Sequence, residues 1–332
     1  MRLAVTGAQG LLGRQLVSTA LDQGAEAVLG LGRSPRNDDR FTHDLEWLGR
    51  RVPAPLPAAL RRAAVDDRYE YARADLCDVE AVSAVARRFR PDAVIHAAAA
   101  LRDDDWDRLV ASNMNALFGL VRGFASQPPA RLVLTSTGSV YGAARGLVPF
   151  AEDGPTEPIE PYGATKRAGE DIARILAAET GTPLVVGRVF NLIGPGLQDR
   201  HLPGKLASQI SAIARGLSPP ELTLGPLDAT RDFIDIRDAA AALLALAAAP
   251  DPPQLVNVAS GVETEVQRVL DLMIELAGAE GLRIDRVEGR RSDIPRAFAD
   301  VGRLRALPFA ARYDLRDTLA EMLGYFQAFS AH

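Results

Sequence analysis

An α/β architecture, a parallel sheet wound in both directions from its middle, is what the sequence predicts, on three observations. Short apolar runs of β type alternate with longer stretches of helical period. A glycine-rich turn directly follows the first run, and a tyrosine and a lysine four residues apart stand at the start of the last helix in the series. Alternation of this kind implies right-handed βαβ crossovers and hence a parallel sheet.

Taken in order, the runs at residues 3–5, 27–31, 69–72, 93–95, 132–134 and 184–186 read as six strands, and residues 11–23, 79–89, 106–125 and 162–180 as helices between them. Six strands with covering helices make a doubly wound, dinucleotide-type sheet. Residues 33–67 break the rhythm, with Pro53, Pro55 and Pro57 close together beside the basic pairs Arg50-Arg51 and Arg61-Arg62. They read as a surface excursion between strands two and three. After about residue 190, Gly194-Pro195-Gly196, Pro219-Pro220 and the prolines between 250 and 253 separate short mixed elements, which suits a smaller, irregular α/β part covering the carboxyl edge of the sheet.

The 332 residues are 24% charged and 47% hydrophobic with a formal net charge of −5, which excludes disorder and provides no electrostatic footprint for nucleic acid. The longest apolar run, residues 239–249, is about half of the ~20 residues a membrane-spanning helix needs. The apolar start meets Thr6-Gly7 at once, too early for the core of a secretory signal, so a cytoplasmic protein is expected. Cys77 is the only cysteine and the four histidines are scattered, so neither a disulfide nor a metal site is expected.

Gly7-Ala8-Gln9-Gly10-Leu11-Leu12-Gly13 occupies the first strand-to-helix turn. Glycines there permit the tight turn and close backbone approach to a pyrophosphate, which would sit on the helix N-terminus at Gly10, Leu11, Leu12 and Gly13. Where an acidic residue would bind a ribose 2′-hydroxyl at the end of strand two, Gly32-Arg33-Ser34 stands instead; Arg33 suits a 2′-phosphate or is a solvated loop residue. Asp75-Leu76 could contact the adenine or simply form a turn. Ala97 and Ala98 after the fourth strand leave room for a ligand, and His96 beside them reads as structural. The strand-five loop, residues 135–142, carries Thr135, Ser136, Thr137 and Ser139 at the edge where open α/β sheets bind ligands.

Tyr162 and Lys166, at i and i+4, share one helix face. A lysine so placed can lower the phenol's pKa from ~10 and bind ribose hydroxyls, so the phenol can exchange protons with a carbinol while hydride moves.

With these residues in this order, the chain resembles the extended short-chain dehydrogenase/reductase family of NAD-dependent epimerase/dehydratase type. The resemblance covers nearly its whole length and rests on the glycine turn, Asp75-Leu76, His96-Ala97-Ala98, Thr137 with Tyr141-Gly142, Tyr162 and Lys166, Arg188-Val189-Phe190-Asn191 and Arg231-Asp232-Phe233. It implies a Rossmann NAD(P)-binding domain over residues 1–190 and an interleaved nucleotide-sugar domain over 191–332. It also implies Thr137 as hydrogen-bond partner of the sugar oxygen, Tyr162 as acid/base and Lys166 on the nicotinamide ribose. Asn191 and Arg231 would reach the substrate diphosphate. Arg291 and Asp293 would belong to a nucleotide-binding element in which Ser292 departs from the usual proline, and His201 and Lys205 would be either neighbours of the substrate or surface residues. A homodimer through the helices at 106–125 and 162–180 is likewise borrowed from the family.

Dehydratases of this family place Asp-Glu directly after the strand-five threonine, whereas Gly138-Ser139 stand here, so dehydration is disfavoured. Arg33 favours NADP over NAD, and the motifs look most like those of GDP-4-keto-6-deoxymannose reductases. The expectation is therefore reduction of a 4-keto-6-deoxy sugar nucleotide, with an NAD-retaining epimerase as the alternative. A non-catalytic NADP(H)-binding regulator would have little need for Tyr162 and Lys166 together.

Overall fold

The computed structural model describes residues 1–144, 146–287 and 293–330. The chain opens with β1 (Arg2–Thr6), α1 (Leu11–Asp22) and β2 (Ala27–Gly32), followed by a hairpin of β3 (Arg40–Trp47) and β4 (Arg50–Pro55) and by α2 (Ala58–Ala64). Next come β5 (Tyr69–Arg73), α3 (Val79–Phe89), β6 (Ala93–His96), α4 (Trp106–Val110), α5 (Ala116–Phe124), β7 (Arg131–Thr137), α6 (Pro161–Thr180) and β8 (Leu184–Val189). The remainder holds β9 (Asn191–Ile193), α7 (Leu202–Ala214), β10 (Glu221–Leu224), β11 (Thr230–Asp235), α8 (Ile236–Ala248), β12 (Leu255–Val258), β13 (Glu263–Glu265), α9 (Val266–Ala277), β14 (Arg283–Arg286), β15 (Arg296–Ala297), α10 (Gly302–Arg305) and α11 (Leu315–Tyr325).

Seven strands form one parallel sheet in the order β12-β8-β7-β6-β1-β2-β5. All six strands expected from the sequence lie in it, and the seventh, β12, returns from beyond residue 190. Alternation within β1 shows why these strands read as unbroken apolar runs. Leu3 and Val5 enter the core with residues of α1 and α8, while Ala4 enters the opposite core with residues of α3, α5 and α6. Both faces are covered, so no polar face is needed. The winding direction reverses between β1 and β6, and the crevice for a ligand opens at their carboxyl ends.

The helix expected over 106–125 is interrupted by a π turn at Ala111–Asn115. Inside that turn Asn113 is buried; its Oδ1 accepts from the Ala100 amide at 3.0 Å and its Nδ2 donates to Thr165 Oγ1 at 3.0 Å. The bulge thus aims a polar side chain between the β6 loop and α6, a use common for π turns near functional sites.

Residues 33–67 are more than the surface excursion expected. Leu48 and Gly49 both take positive φ, at 51° and 73°, and close a two-residue hairpin between Trp47 and Arg50. Phe41, Leu45 and Trp47 of β3 are buried in a core shared with α7, α9 and α11. Trp47 stacks on Phe326 with centroids 5.5 Å apart and donates from Nε1 to the Ser330 carbonyl at 2.7 Å. The hairpin therefore ties the sheet layer to the C-terminal half.

In that half, β9 pairs with β11, which also pairs with β13 and β15, and β10 pairs with β14. Asp232 on β11 is fully buried and accepts from Ser260 N and Oγ, Gly261 N and Ala299 N, pinning two loops beside the strand. No helix among the described residues is long and apolar enough to cross a membrane.

Candidate active site

A cavity of about 1180 Å³ lies along the carboxyl edge of the sheet, more than the ~300–1,000 Å³ of a pocket for one small ligand. Gly7, Gly10, Leu11, Leu12, Gly13, Arg33, Asp75, Leu76, Ala97 and Ala98 line one part. Thr137, Tyr162, Lys166, Asn191, Arg231 and Asp293 line the rest. The fold thus gathers these expected residues along one cavity, with Lys205 left out of its lining; Arg291 and its neighbour Ser292 lie outside the described residues.

At the glycine turn the geometry fits a pyrophosphate. Gly7 has φ of +68°, and a Cβ there would meet the Ala98 backbone at 2.8 Å; one on Gly13 would meet the Gly7 carbonyl at 2.1 Å. Gly10, the N-cap of α1, provides no side-chain hydrogen bond, so the first amides of the helix remain available to an anion. Asp75 Oδ1 accepts from the Cys77 amide at 3.0 Å, so it forms a turn while lining the cavity. The Arg33 side chain is exposed and reaches Ser112 Oγ at 3.4 Å, while its carbonyl accepts from Arg73 Nε at 2.9 Å. Asp38, which could have opposed a phosphate there, pairs with Arg36 at 2.9 Å.

His96 is structural, as expected. Its Nδ1 is hydrogen-bonded to Thr6 Oγ1 at 2.8 Å, and full burial, reinforced by the Lys166 charge, holds its pKa down to about 3, so it stays neutral.

The face of α6 that carries Tyr162 and Lys166 is held from below by a buried network. Glu170, one turn beyond Lys166, accepts from Arg188 Nε at 3.0 Å and Nη2 at 2.8 Å and from Ser136 Oγ at 2.5 Å. Arg188 lies 4.8 Å from the centroid of the Tyr141 ring, whose hydroxyl donates to Asn257 at 2.7 Å. These contacts fix α6 against β7 and β8 and so aim Tyr162 and Lys166 into the cavity.

Lys166 Nζ donates to the Thr135 carbonyl at 2.5 Å, and burial lowers its pKa to about 8, with Glu170 opposing. Burial pushes the Tyr162 phenol above its ordinary value; a hydrogen bond with Thr137 and the charge of Arg102 pull it back, and Glu160 pushes it up again. Arg102 pairs with Glu160 at 2.8 Å and donates to Ser139 Oγ at 3.2 Å. Arg102 lines the cavity and Asn113 braces α6 behind it, and the sequence reading missed both. The first sits in an irregular loop, and the only signal for the second is a polar side chain inside an otherwise apolar helix.

Toward the C-terminal half, Asn191 Nδ2 donates to the Asp232 carbonyl at 2.9 Å, which keeps it at the β9–β11 seam. Arg231 Nη1 donates to the Thr230 carbonyl at 2.7 Å, and burial and the Arg102 charge lower its pKa. His201 lines this end as expected; Lys205, one turn into α7, is not in the cavity lining. Chemically the site combines an anion cradle, a protonated phenol beside a threonine, and a cationic far end.

A sequence model of the NAD dependent epimerase/dehydratase family matches residues 3–259, and the chain belongs to that family. It is an enzyme of the extended short-chain dehydrogenase/reductase type that works with NAD(P). The dTDP-6-deoxy-L-talose 4-dehydrogenase (NAD(P)(+)) of Kitasatospora kifunensis is 29% identical over 326 residues, covering 97% of this chain and 94% of that one. The GDP-6-deoxy-D-mannose reductase of Pseudomonas aeruginosa is 32% identical over 219 residues, covering 60% of this chain and 70% of its own. The structure of RMD from Pseudomonas aeruginosa complexed with NADPH shares the fold, with a TM-score of 0.79 over 98% of this chain and 99% of that one at 24% identity.

Lys166 is charged below its pKa and neutral above it, and the free-enzyme value governs kcat/KM. We expect kcat/KM to fall by a further factor of about ten per pH unit above pH about 8, as Lys166 loses its proton. A steady-state profile from pH 6 to 9.5 tests this; a level profile to the alkaline end would show that the lysine charge is not needed.

Proposed function

We propose that this enzyme reduces the 4-keto group of a nucleotide-activated 6-deoxy sugar, with NADPH as reductant. The observation that carries the reading is Tyr162. Burial keeps its phenol protonated at neutral pH, and it contacts Thr137 in the same cavity as the glycine cradle and the cationic end. A protonated phenol is what reduction needs as general acid. The names of the two relatives, a dTDP-6-deoxy-L-talose 4-dehydrogenase and a GDP-6-deoxy-D-mannose reductase, support the substrate class.

When bound, the reduced nicotinamide supplies a hydride to the carbonyl carbon. Thr137 hydrogen-bonds the sugar oxygen and, with Tyr162, holds it in place. The Tyr162 hydroxyl gives its proton to that oxygen as negative charge develops there, and the Arg102 and Lys166 cations, held close by, favour the phenolate left behind. Lys166 also orients the nicotinamide ribose. Asn191 and Arg231 hold the substrate diphosphate, and Arg33 holds the 2′-phosphate of the cofactor. We assign residues 1–190 to cofactor binding and 191–332 to substrate binding, with α8 and β12 of the second part returning to complete the sheet layer.

We also propose a homodimer through α4, α5 and α6. Trp106, Phe118 and Ile175 on these helices are 56%, 48% and 59% exposed, an apolar exposure that a second copy would cover. Light scattering should give twice the mass of one chain, falling to one chain in Phe118→Glu/Ile175→Glu.

Tyr162→Phe should lower kcat by ~10²–10⁴-fold, the worth of general acid–base catalysis, and leave NADPH affinity nearly unchanged. Steady-state rates on a 4-keto sugar nucleotide and a cofactor titration on the same samples decide this, and a near wild-type rate would eliminate Tyr162 as the acid.

Arg33→Ala should remove ~1.5–3 kcal/mol of preference for NADPH over NADH, the scale of a hydrogen bond to a charged group. Fluorescence titration of both cofactors reads it. Equal affinities in the wild type would move the assignment to an NAD-retaining epimerase.

A further inference from the structure

The β3–β4 hairpin brings into the cavity a histidine that the catalytic scheme leaves unused. Phe41 of β3 is buried against the Gly194–Gly196 turn so closely that a Cβ on Gly196 would lie 2.5 Å from its ring. His43 stacks on that ring, centroids 5.2 Å apart and planes 14° from parallel, and its Nε2 is 2.9 Å from the Gly196 carbonyl. Arg51 of β4 pairs with Asp199 at 2.8 Å, and Ser208 of α7 donates to the Glu46 carbonyl at 2.6 Å. The hairpin is thus clamped to the segment that follows Asn191, with His43 held in the cavity wall.

We propose that His43 is a ligand for the diphosphate of the nucleotide-sugar substrate and that it takes up a proton when that diphosphate binds. The inference rests on the nucleotide-sugar reading above and adds a residue that neither the glycine turn nor the strand-five and strand-nine motifs include.

A carbonyl oxygen can only accept, so the proton on the imidazole sits on Nε2, donated to Gly196. Neutral His43 therefore has a bare lone pair on Nδ1, which repels a phosphate oxygen, whereas the imidazolium donates a charge-assisted hydrogen bond from the same atom. Without substrate the neutral form prevails. Burial and Arg200 push the imidazole below its ordinary value; the Gly196 carbonyl, Asp44 and Asp199 oppose them. Asp199 is engaged by Arg51, and His201 nearby feels Arg200 and Arg102 as positive neighbours, with Asp103 opposing. Anionic groups that would pay for another cation here are few until the diphosphate arrives. Its two negative charges reverse the local balance, so docking and protonation are linked.

Isothermal titration calorimetry in buffers of different ionisation enthalpy counts the protons. GDP-mannose, UDP-glucose and dTDP-glucose are suitable probes, because an esterified diphosphate has no group of its own titrating near neutrality. At pH 7 the wild type should take up a substantial fraction of one proton per probe bound, and its affinity should weaken from pH 6 to 8.5. His43→Gln keeps an amide donor for the Gly196 carbonyl and cannot be protonated. It should lose the uptake and bind roughly tenfold or more weakly at pH 6, the scale of one charge-assisted hydrogen bond, with the difference closing by pH 8.5. NADPH affinity should be unchanged. His201→Gln should retain the uptake, which ties the proton to His43 even where the first variant folds poorly. Uptake that survives in His43→Gln, or that disappears only in His201→Gln, would overturn the assignment. Failure of all three probes to bind the wild type would overturn the nucleotide-sugar reading and this inference with it. Binding without any proton uptake would overturn this inference alone.

Discussion

The carboxylate of Glu170 is the contact on which the catalytic geometry depends. It is buried between α6 and the strands β7 and β8, and it accepts two hydrogen bonds from Arg188 and one from Ser136. A buried charge persists only when paired and hydrogen-bonded, and removing one partner of such a pair costs ~3–5 kcal/mol because the other is left uncompensated. Satisfying Glu170 therefore fixes the rotation of α6 about its axis. Once the face one turn below is fixed, Lys166 has to meet the Thr135 carbonyl and Tyr162 has to meet Thr137. Lys166 is shielded from water and also sits close enough to His96 to help keep that ring neutral.

Charge is distributed along the cavity by the same economy. The cofactor end relies on backbone amides at the start of α1, where glycines let the chain come close and no side chain competes. The far end relies on side chains, and burial lowers the pKa of Arg231, His43 and His201 alike, with Arg102 or Arg200 adding to it and Glu160, Asp44, Asp199 and Asp103 opposing. Between them the phenol of Tyr162 lies under opposed influences from Arg102 and Glu160, themselves an ion pair at 2.8 Å.

The hairpin of β3 and β4 shows how a connection becomes part of a site. Its core residues Phe41, Leu45 and Trp47 are covered by α7, α9 and α11 rather than by the central sheet. Burial of that aromatic face, at roughly 25 cal/mol per Å² of apolar surface, holds the two halves of the molecule at a fixed distance across the cavity. The cavity's width is in this sense set by a segment that contributes no strand to the main sheet.

Much of the architecture was legible in the sequence because it follows from local chemistry. The six apolar runs alternate with helical periods and became six of the seven central strands; the glycine turn can only be a close backbone approach; and Tyr162 and Lys166 share a face wherever a helix runs through them. The hairpin was not legible, because Pro53, Pro55 and Pro57 argue against a strand and Leu48-Gly49 lacks the usual turn residues; Leu48 accepts positive φ only because tertiary burial of β3 outweighs its cost. The π turn at Asn113 and the return of β12 to the sheet depend likewise on contacts across the fold. The sequence by itself determined the six strands of the central sheet, the glycine turn and the shared helix face of Tyr162 and Lys166, since periodicity and residue type are properties of neighbours along the chain. Tertiary structure alone decided that Arg102 and Glu160, from loops far apart in the chain, act on the Tyr162 phenol, because that follows from distance through space and from burial, and neither is written in the order of residues.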